Sequence, residues 1–319
     1  MAVLQLLSIF DSKLFISEER KRLVECKLGD WDFPAHDFSD DELVYGAYKM
    51  FEHALKMPEM EHWRLTTGTL SFVLMLRRVG NWNAKKRQGI REGKKQEEKK
   101  KDDKGQLNMW TNGSVTGELQ TFCLACRAAY NSFVLYHNFR HAVDVLQSTF
   151  SMLLHIGLLP PYTYSSSIPR VSNPAMASLL TPFDVLTLLI SAIGHDVGHP
   201  GVNNRFLVEL NSPLAQLYND NSVLEAFHCA AFSQILRRHW PAAFKDATLR
   251  RLLINTILAT DMCLHFDYLK RLKELQQKYQ ENNTTNKWNP SDTETYRTLL
   301  CGLLIKCADI SNVVSEVTC

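Results

Sequence analysis

Residues 182–197, PFDVLTLLISAIGHDV, constrain the fold more than any other stretch of this chain. The run is nearly all apolar, so as a helix it has no face to offer water and belongs at the centre of its domain. It nevertheless closes on His195 and Asp196, and Gly198, Pro200 and Gly201 then break it. A polar pair is thus carried at the mouth of a buried helix. A buried carboxylate beside a buried histidine is costly unless something pairs with it, and a metal ion is the natural compensation.

Two further strings carry the same chemistry. Tyr136-His137-Asn138-Phe139-Arg140-His141 puts two histidines four residues apart, as do His195 and His199, and Cys307-Ala308-Asp309-Ile310-Ser311-Asn312 supplies another carboxylate far downstream. Two imidazoles and two carboxylates suit a borderline ion such as zinc. A second site made mostly of carboxylate and water suits magnesium or manganese. Asp196 could bridge the two, and a water trapped between them would lose a proton easily and become a nucleophile. Together the strings read as a dinuclear metal site built from helices, which points to hydrolysis of a phosphate ester. A His-Asp dipeptide alone is weak evidence, and His36, His53, His62, His155, His228, His239 and His265 are read as ordinary core or surface residues.

The rest of the chain reads as helix after helix. Ser39-Asp40 before Asp41-Glu42 looks like an N-cap with an acidic first turn, and Leu43, Val44, Ala47, Met50, Phe51 and Leu55 then recur at helical spacing. Helices are also predicted over 119–135, 140–154, 222–238, 247–262, 266–279 and 293–310, with a Pro/Ser-rich loop over 160–173 and a polar one over 280–291. No stretch sustains period-two alternation, so the fold is expected to be all-α: a compact multi-helix domain. Cys123 and Cys126 form a CxxC inside a helical pattern with no second pair nearby, and read as buried thiols.

Composition narrows the setting. No apolar run is long enough to span a bilayer, and the first ten residues lack a basic n-region and a cleavage pattern, so a soluble, cytoplasmic protein is expected, without a membrane partner. Eight cysteines without a framework fit a reducing compartment. The net charge of +2 hides a local excess: residues 69–117 hold 12 Lys and Arg against 5 Asp and Glu, so the remainder is acidic and nothing argues for nucleic acid. Within that stretch, residues 84–104 carry almost no apolar side chains and are expected to be disordered or at best a solvated helix. Removing 69–117 joins Gly68 smoothly to Glu118. The stretch is either an unspliced intron or a genuine surface insertion, and a role as a basic interaction tail gains little from the charge run.

At this point a family can be named. YHNFRHA, HDVGHPGVNN, YNDNSVLE, LATDM and CADISN, in this order, resemble the class I 3′,5′-cyclic nucleotide phosphodiesterases, with the nearest likeness to fungal cyclic AMP phosphodiesterases. The resemblance covers residues 31–68 and 118–312, which makes 1–30 an N-terminal extension and 31–319 the catalytic domain interrupted by the Lys-rich insertion. It implies that His141, His195, Asp196 and Asp309 ligate a first ion, zinc, and that Asp196 also touches a second, magnesium or manganese. His199, Glu225 and Thr260 would sit around that ion's waters. His137 would be the general acid that protonates the departing O3′, held protonated by a neighbouring carboxylate. Tyr136, Asn204, Met262 and Asn312 would line the pocket, with Asp261 near the metal. The implied substrate is a cyclic nucleotide, cyclic AMP on the fungal likeness, opened to its 5′-nucleotide by in-line attack of a metal-activated hydroxide in cyclic nucleotide signalling. Protein partners are not legible.

Two departures stand out. Leu224-Glu225 is followed by Ala226-Phe227-His228, where the family usually has Asn-His-His. The chain also stops at Cys319, seven residues after Asn312, whereas family members continue for several helices that carry a purine-binding glutamine and a stacking aromatic. The expectation is therefore a truncated catalytic domain, aggregation-prone and poorly active. The other readings are a metal phosphohydrolase of the broader HD type and a non-catalytic, truncated metal-binding product.

Overall fold

The computed structural model describes residues 14–57, 60, 114–164, 177–282 and 288–315, with the backbone alone for 114–117, 282 and 312–315. The start of the chain to residue 13, nearly all of the 69–117 stretch with its 84–104 run, most of the 160–173 loop and the tail past 315 lie outside the described residues. The described chain is all-α, with no strand among its residues. The helices are α1 Glu18–Lys27, α2 Asp40–Ala54, α3 Ser114–Ala128, α4 Phe139–His155, α5 Pro182–Gly194, α6 Asn204–Glu209, α7 Pro213–Leu217, α8 Val223–His239, α9 Pro241–Lys245, α10 Ala247–Leu258, α11 His265–Asn282 and α12 Pro290–Ser315. None of them is long and apolar enough to cross a membrane.

The apolar run over 182–197 becomes α5, the helix around which the others gather. Thr181 opens it: Asp184 N–H donates to Thr181 Oγ1 (3.3 Å), Thr181 N–H donates back to Asp184 Oδ2 (2.8 Å), and Pro182 sits in the first turn, where its missing N–H is harmless. Val185, Leu186, Leu188, Leu189, Ile190, Ala192 and Ile193 have no exposed surface, each larger side chain contributing about 1.5–3 kcal/mol by leaving water. They pack against α2, α4, α8, α10 and α12. Gly194 closes the helix because nothing larger fits: a Cβ there would stand 2.4 Å from the Phe232 ring on α8. Beside it Phe51, Phe122 and Trp240 meet edge to face at centroid distances of 5.3–6.1 Å.

Two differences from the sequence reading have physical causes. The structured part begins before residue 31: α1 docks on α2 through Val24 and Leu28, both fully buried, and Arg20 Nη2 donates to Glu42 Oε2 at 3.0 Å. Its remaining residues are mostly charged, so periodicity does not reveal it. The helix predicted over 119–135 stops at Ala128. Gly198 N–H takes the Ala129 carbonyl (3.0 Å), the Tyr130 hydroxyl donates to Ile193 O (2.9 Å) and Asn131 Nδ2 donates to His199 O (2.8 Å). The chain past Ala128 is thus tied to the end of α5 rather than continued as a helix. Cys123 and Cys126 are buried, and burial raises both thiol pKa values, which suits packing and not ligation.

Candidate metal centre

Two helix ends and the side of a third helix converge. His141 lies in the first turn of α4, whose N-cap Asn138 accepts from Arg140 N–H (3.0 Å) and His141 N–H (3.3 Å) through one oxygen. The Asn138 amide also donates to Val134 O and Leu135 O, both at 3.0 Å, which fixes the loop carrying Tyr136 and His137. His195 is the C-cap of α5, and Asp196 follows in a turn closed by Gly198 at φ 77°. Asp309 comes from α12, which Ser311 ties to Ser148 on α4 (3.2 Å).

The four side chains meet face to face. His141 Nε2 lies 3.1 Å from Asp309 Oδ1 and 3.5 Å from Asp196 Oδ2; His195 Nε2 lies 3.3 Å and 3.4 Å from the same two atoms. Donors at the corners of a tetrahedron about an ion bound at about 2.0–2.1 Å stand roughly 3.3–3.4 Å apart, so the spacing fits a small cation. Two of the facing buried atoms, His195 Nε2 and Asp196 Oδ2, make no hydrogen bond. Leaving them so costs about 1–3 kcal/mol each, which an ion would remove. His195 Nδ1, 2.8 Å from Ala192 O, can donate there and turn its Nε2 lone pair to the cluster. The residues present therefore fit a bound metal ion.

The electrostatics point the same way. Burial works against the charged forms, but imidazole and carboxylate sustain each other. The charges of Asp196 and Asp309 raise His195 to about 9, so a cation binding at Nε2 would displace a proton, and His141 and His195 hold Asp309 well below the usual carboxylate range. Asp196 is lowered too, by His195, His228 and His141. Both aspartates stay ionised at neutral pH, as cation ligands must.

A column of imidazoles flanks this cluster. His137 stacks on His199 (centroids 4.1 Å apart, 19° between planes), which stacks on His228 (5.5 Å, 20°). Burial lowers all three pKa values against the pull of Asp196, His199 to about 4. For His137 this runs against the expected carboxylate-maintained protonation: Asp196 and Asp309 raise its pKa, but burial outweighs them. Gly201 N–H donates to His199 Nδ1 (3.0 Å), leaving Nε2 of the neutral ring to carry its proton. Asp196, His199 and His228 form a second buried group whose ligating atoms lie within 4.8 Å of one another. Tyr136, 46% exposed, stands at the mouth with its ring 4.9 Å from His137 and 4.8 Å from His141.

The other sequence-predicted residues lie on the neighbouring helices and turns. Asn204 caps α8 from outside, accepting from Leu224 N–H (2.8 Å) while its amide donates to Glu225 Oε2 (2.9 Å). Burial raises the Glu225 pKa, helped by the charges of Asp261 and Asp196. Thr260 is buried and donates to Ile257 O (2.8 Å). Asp261 has both oxygens engaged, one by the Ser222 hydroxyl (2.7 Å) and one by Cys263 N–H (2.8 Å), so it is a brace within the protein. Met262 is 56% exposed on a short 3-10 turn, and Asn312 lies three residues past Asp309 on α12, its side chain outside the described set.

Sequence reasoning missed His228. Its Nε2 lies 3.6 Å from Asp196 Oδ1 and its Nδ1 2.8 Å from Val197 O, so it braces the carboxylate from behind. The available signal was its place three residues after Glu225 on one helix face. Tyr130, Asn131 and Ser222, which tie the loops around the cluster, left no such mark.

Comparison with known proteins places the chain in a family. A family profile described as 3′5′-cyclic nucleotide phosphodiesterase matches residues 136–319. The 3′,5′-cyclic-nucleotide phosphodiesterase 2 of Saccharomyces cerevisiae is 36% identical over 187 residues, covering 58% of this chain and 28% of the relative. The 3′,5′-cyclic-AMP phosphodiesterase 4C of Mus musculus is 34% identical over 200 residues, covering 61% and 26%. The crystal structure of yeast caPDE2 superposes with a TM-score of 0.68 at 30% identity, covering 98% of this chain and 53% of that one; the same protein in complex with IBMX gives 0.67 at 31%. The chain thus spans less than a third of the length of these curated relatives and about half of the solved one.

Proposed function

Because the chain belongs to the 3′5′-cyclic nucleotide phosphodiesterase family, we propose that it hydrolyses a 3′,5′-cyclic nucleotide, cyclic AMP in preference, to the 5′-nucleotide. The observation that carries this reading is the buried ring of His141, His195, Asp196 and Asp309, with N···O spacings of 3.1–3.5 Å and two orphaned atoms facing inward. Its nitrogen and oxygen donors suit zinc. The far side of Asp196, toward His199 and with Glu225 close enough to feel its charge, suits a water-rich magnesium or manganese ion, and the family resemblance assigns Thr260 to the same side. When bound, the ions supply a water of lowered pKa as nucleophile and neutralise the charge of the cyclic phosphate.

The chain's own residues do the rest. His137 gives its proton to O3′ as the ester bond opens, and its stacking on His199 holds the ring at the mouth. Burial keeps its pKa low in the free chain, so the anionic substrate beside it is what draws the proton onto the ring. Glu225, oriented by Asn204, and the neutral His199 accept from and donate to the waters around them. Tyr136, Asn204 and Met262 line the pocket for sugar and base, and Asn312 is assigned to it by its place in the CADISN string alone. Preference for cyclic AMP is supported by the likeness to fungal enzymes and to the mouse relative named for that substrate. A cytoplasmic setting is supported by the seven unpaired thiols among the described residues.

The test is to supply the purified chain with Zn²⁺ and Mg²⁺ and separate the products of cyclic AMP and cyclic GMP by chromatography. The expected result is 5′-AMP formed faster than 5′-GMP, with His137→Ala slower by on the order of 10²–10⁴-fold. A chain that binds both ions and opens neither cyclic nucleotide would refute the reading.

A further inference from the structure

Lys306 is 5% exposed, which is unusual for an ammonium without a carboxylate bonded to it. Its Nζ donates to Ala259 O (2.8 Å) and Asp261 O (3.1 Å), lies 4.0 Å from Met262 Sδ, and stands 5.5 Å from the Tyr268 ring centroid. The two carbonyls directly follow α10, where orphaned acceptors and the negative end of the helix dipole collect. A buried cation there satisfies acceptors that solvent would otherwise take.

The same face of α12 carries three residues at helical spacing. Gly302, Lys306 and Asp309 follow one another at four and three residues. Gly302 allows the approach: a Cβ in its place would stand 2.6 Å from the Tyr268 ring and 3.1 Å from Ala259 Cβ. The 259–262 loop is therefore pressed against the helix face that presents Asp309. It is held from the other side as well. Ser222 opens α8 in the left-handed region at φ 41° and makes no side-chain cap, and its hydroxyl donates instead to Asp261. Thr260 lies between the two carbonyls that Lys306 holds.

We propose that Lys306 is a positioning residue: its ammonium clamps the 259–262 loop, and with it the Thr260 hydroxyl, at a fixed place relative to Asp309 on the same helix. Its effect on the ion held at the Asp196–Thr260 side rests on the phosphodiesterase reading; the clamp itself does not.

Hydrogen exchange on the full chain tests the clamp without metal or substrate. The N–H groups of Thr260, Asp261, Cys263 and Leu264 are all bonded within this loop or to the end of α10, so they report it directly. Lys306→Met should speed their exchange by about tenfold or more while α2 exchanges as in the parent. Lys306→Gln, which keeps two N–H donors, should fall between the two. Unchanged loop exchange in Lys306→Met overturns the proposal. Acceleration spread equally over α2 and α3 overturns it too, because it marks a general stability role. In parallel, Mn²⁺ titration followed by electron paramagnetic resonance should show the weaker site losing about tenfold in affinity and the tighter one holding within about twofold. A parent chain that binds a single ion would count against the two-ion reading and leave the exchange pattern to decide the clamp.

Discussion

Asp184 and Asp196 stand at opposite ends of α5, 0% and 8% exposed, yet they are treated in opposite ways. Asp184 closes a capping box: its Oδ2 accepts from Thr181 N–H (2.8 Å) and the Thr181 hydroxyl (2.7 Å), and Arg297 from α12 comes within 3.7 Å of Oδ1. Its charge faces a helix N-terminus and a guanidinium, both supplied by the fold. Each leaves one oxygen without a hydrogen bond, Oδ1 of Asp184 and Oδ2 of Asp196, but where Asp184 Oδ1 faces the permanent charge of Arg297, Asp196 faces three imidazoles, which are themselves candidate ligands. One carboxylate is consumed in holding the helix, and the other is kept for something the chain does not supply. The residue type does not distinguish them; the kind of partner does, a capping threonine and a guanidinium for one and three imidazoles for the other.

The sharpest way to break this comparison is to neutralise each carboxylate. Asp196→Asn should lower cyclic nucleotide hydrolysis by on the order of 10³-fold or more, with the thermal midpoint of the ion-free protein unchanged or raised. Asp184→Asn should do the reverse, costing about 2–3 kcal/mol of stability by loosening the cap and its guanidinium partner and leaving turnover per folded molecule near the parent value. Activity assays beside thermal melts read both, and a stability loss in Asp196→Asn equal to that in Asp184→Asn would remove the distinction. Adding Zn²⁺ at about 1,000 times its dissociation constant should stabilise the parent and Asp184→Asn by about 4 kcal/mol, and Asp196→Asn by much less.

A smaller effect is expected one step back. His228→Asn removes the brace behind Asp196, and should weaken metal affinity or activity by about 10–100-fold; equilibrium dialysis against Zn²⁺ with parallel rate measurements checks it. The smallest is a pH effect on a second capping carboxylate. Glu42, the third residue of α2, has its pKa lowered to about 2, first by the Arg20 guanidinium, against burial and with help from Ser39. Its folded pKa lies below the unfolded one, so the stabilisation is present above about pH 4.5 and fades as pH falls towards 2. Exchange of α1 amides should therefore rise between pH 4.5 and 2.5, and Glu42→Gln should flatten that rise.

Much of the fold was legible because its strongest signals are local. The apolar run of α5, the Ser39 cap of α2 and the 3.6-residue spacing of α4, α8 and α12 each determine their own helix. What was lost depends on contacts between distant residues. The early end of α3 follows from bonds made by residues near 195, and α1 rests on only two buried side chains. At the site, the four candidate ligands stood out because they lie in recognisable strings. His228 lay inside an ordinary amphipathic helix, and Lys306 looked like one charge among many; only the packing shows that each has been drawn inside.

The His141–Asp309 contact joins residues 168 positions apart in the chain. A growing polypeptide therefore exposes its first imidazole long before that carboxylate leaves the ribosome. The site is complete only once α4, α5 and α12 are packed together, so half-made or misassembled copies have no complete site with which to sequester scarce metal from the cell.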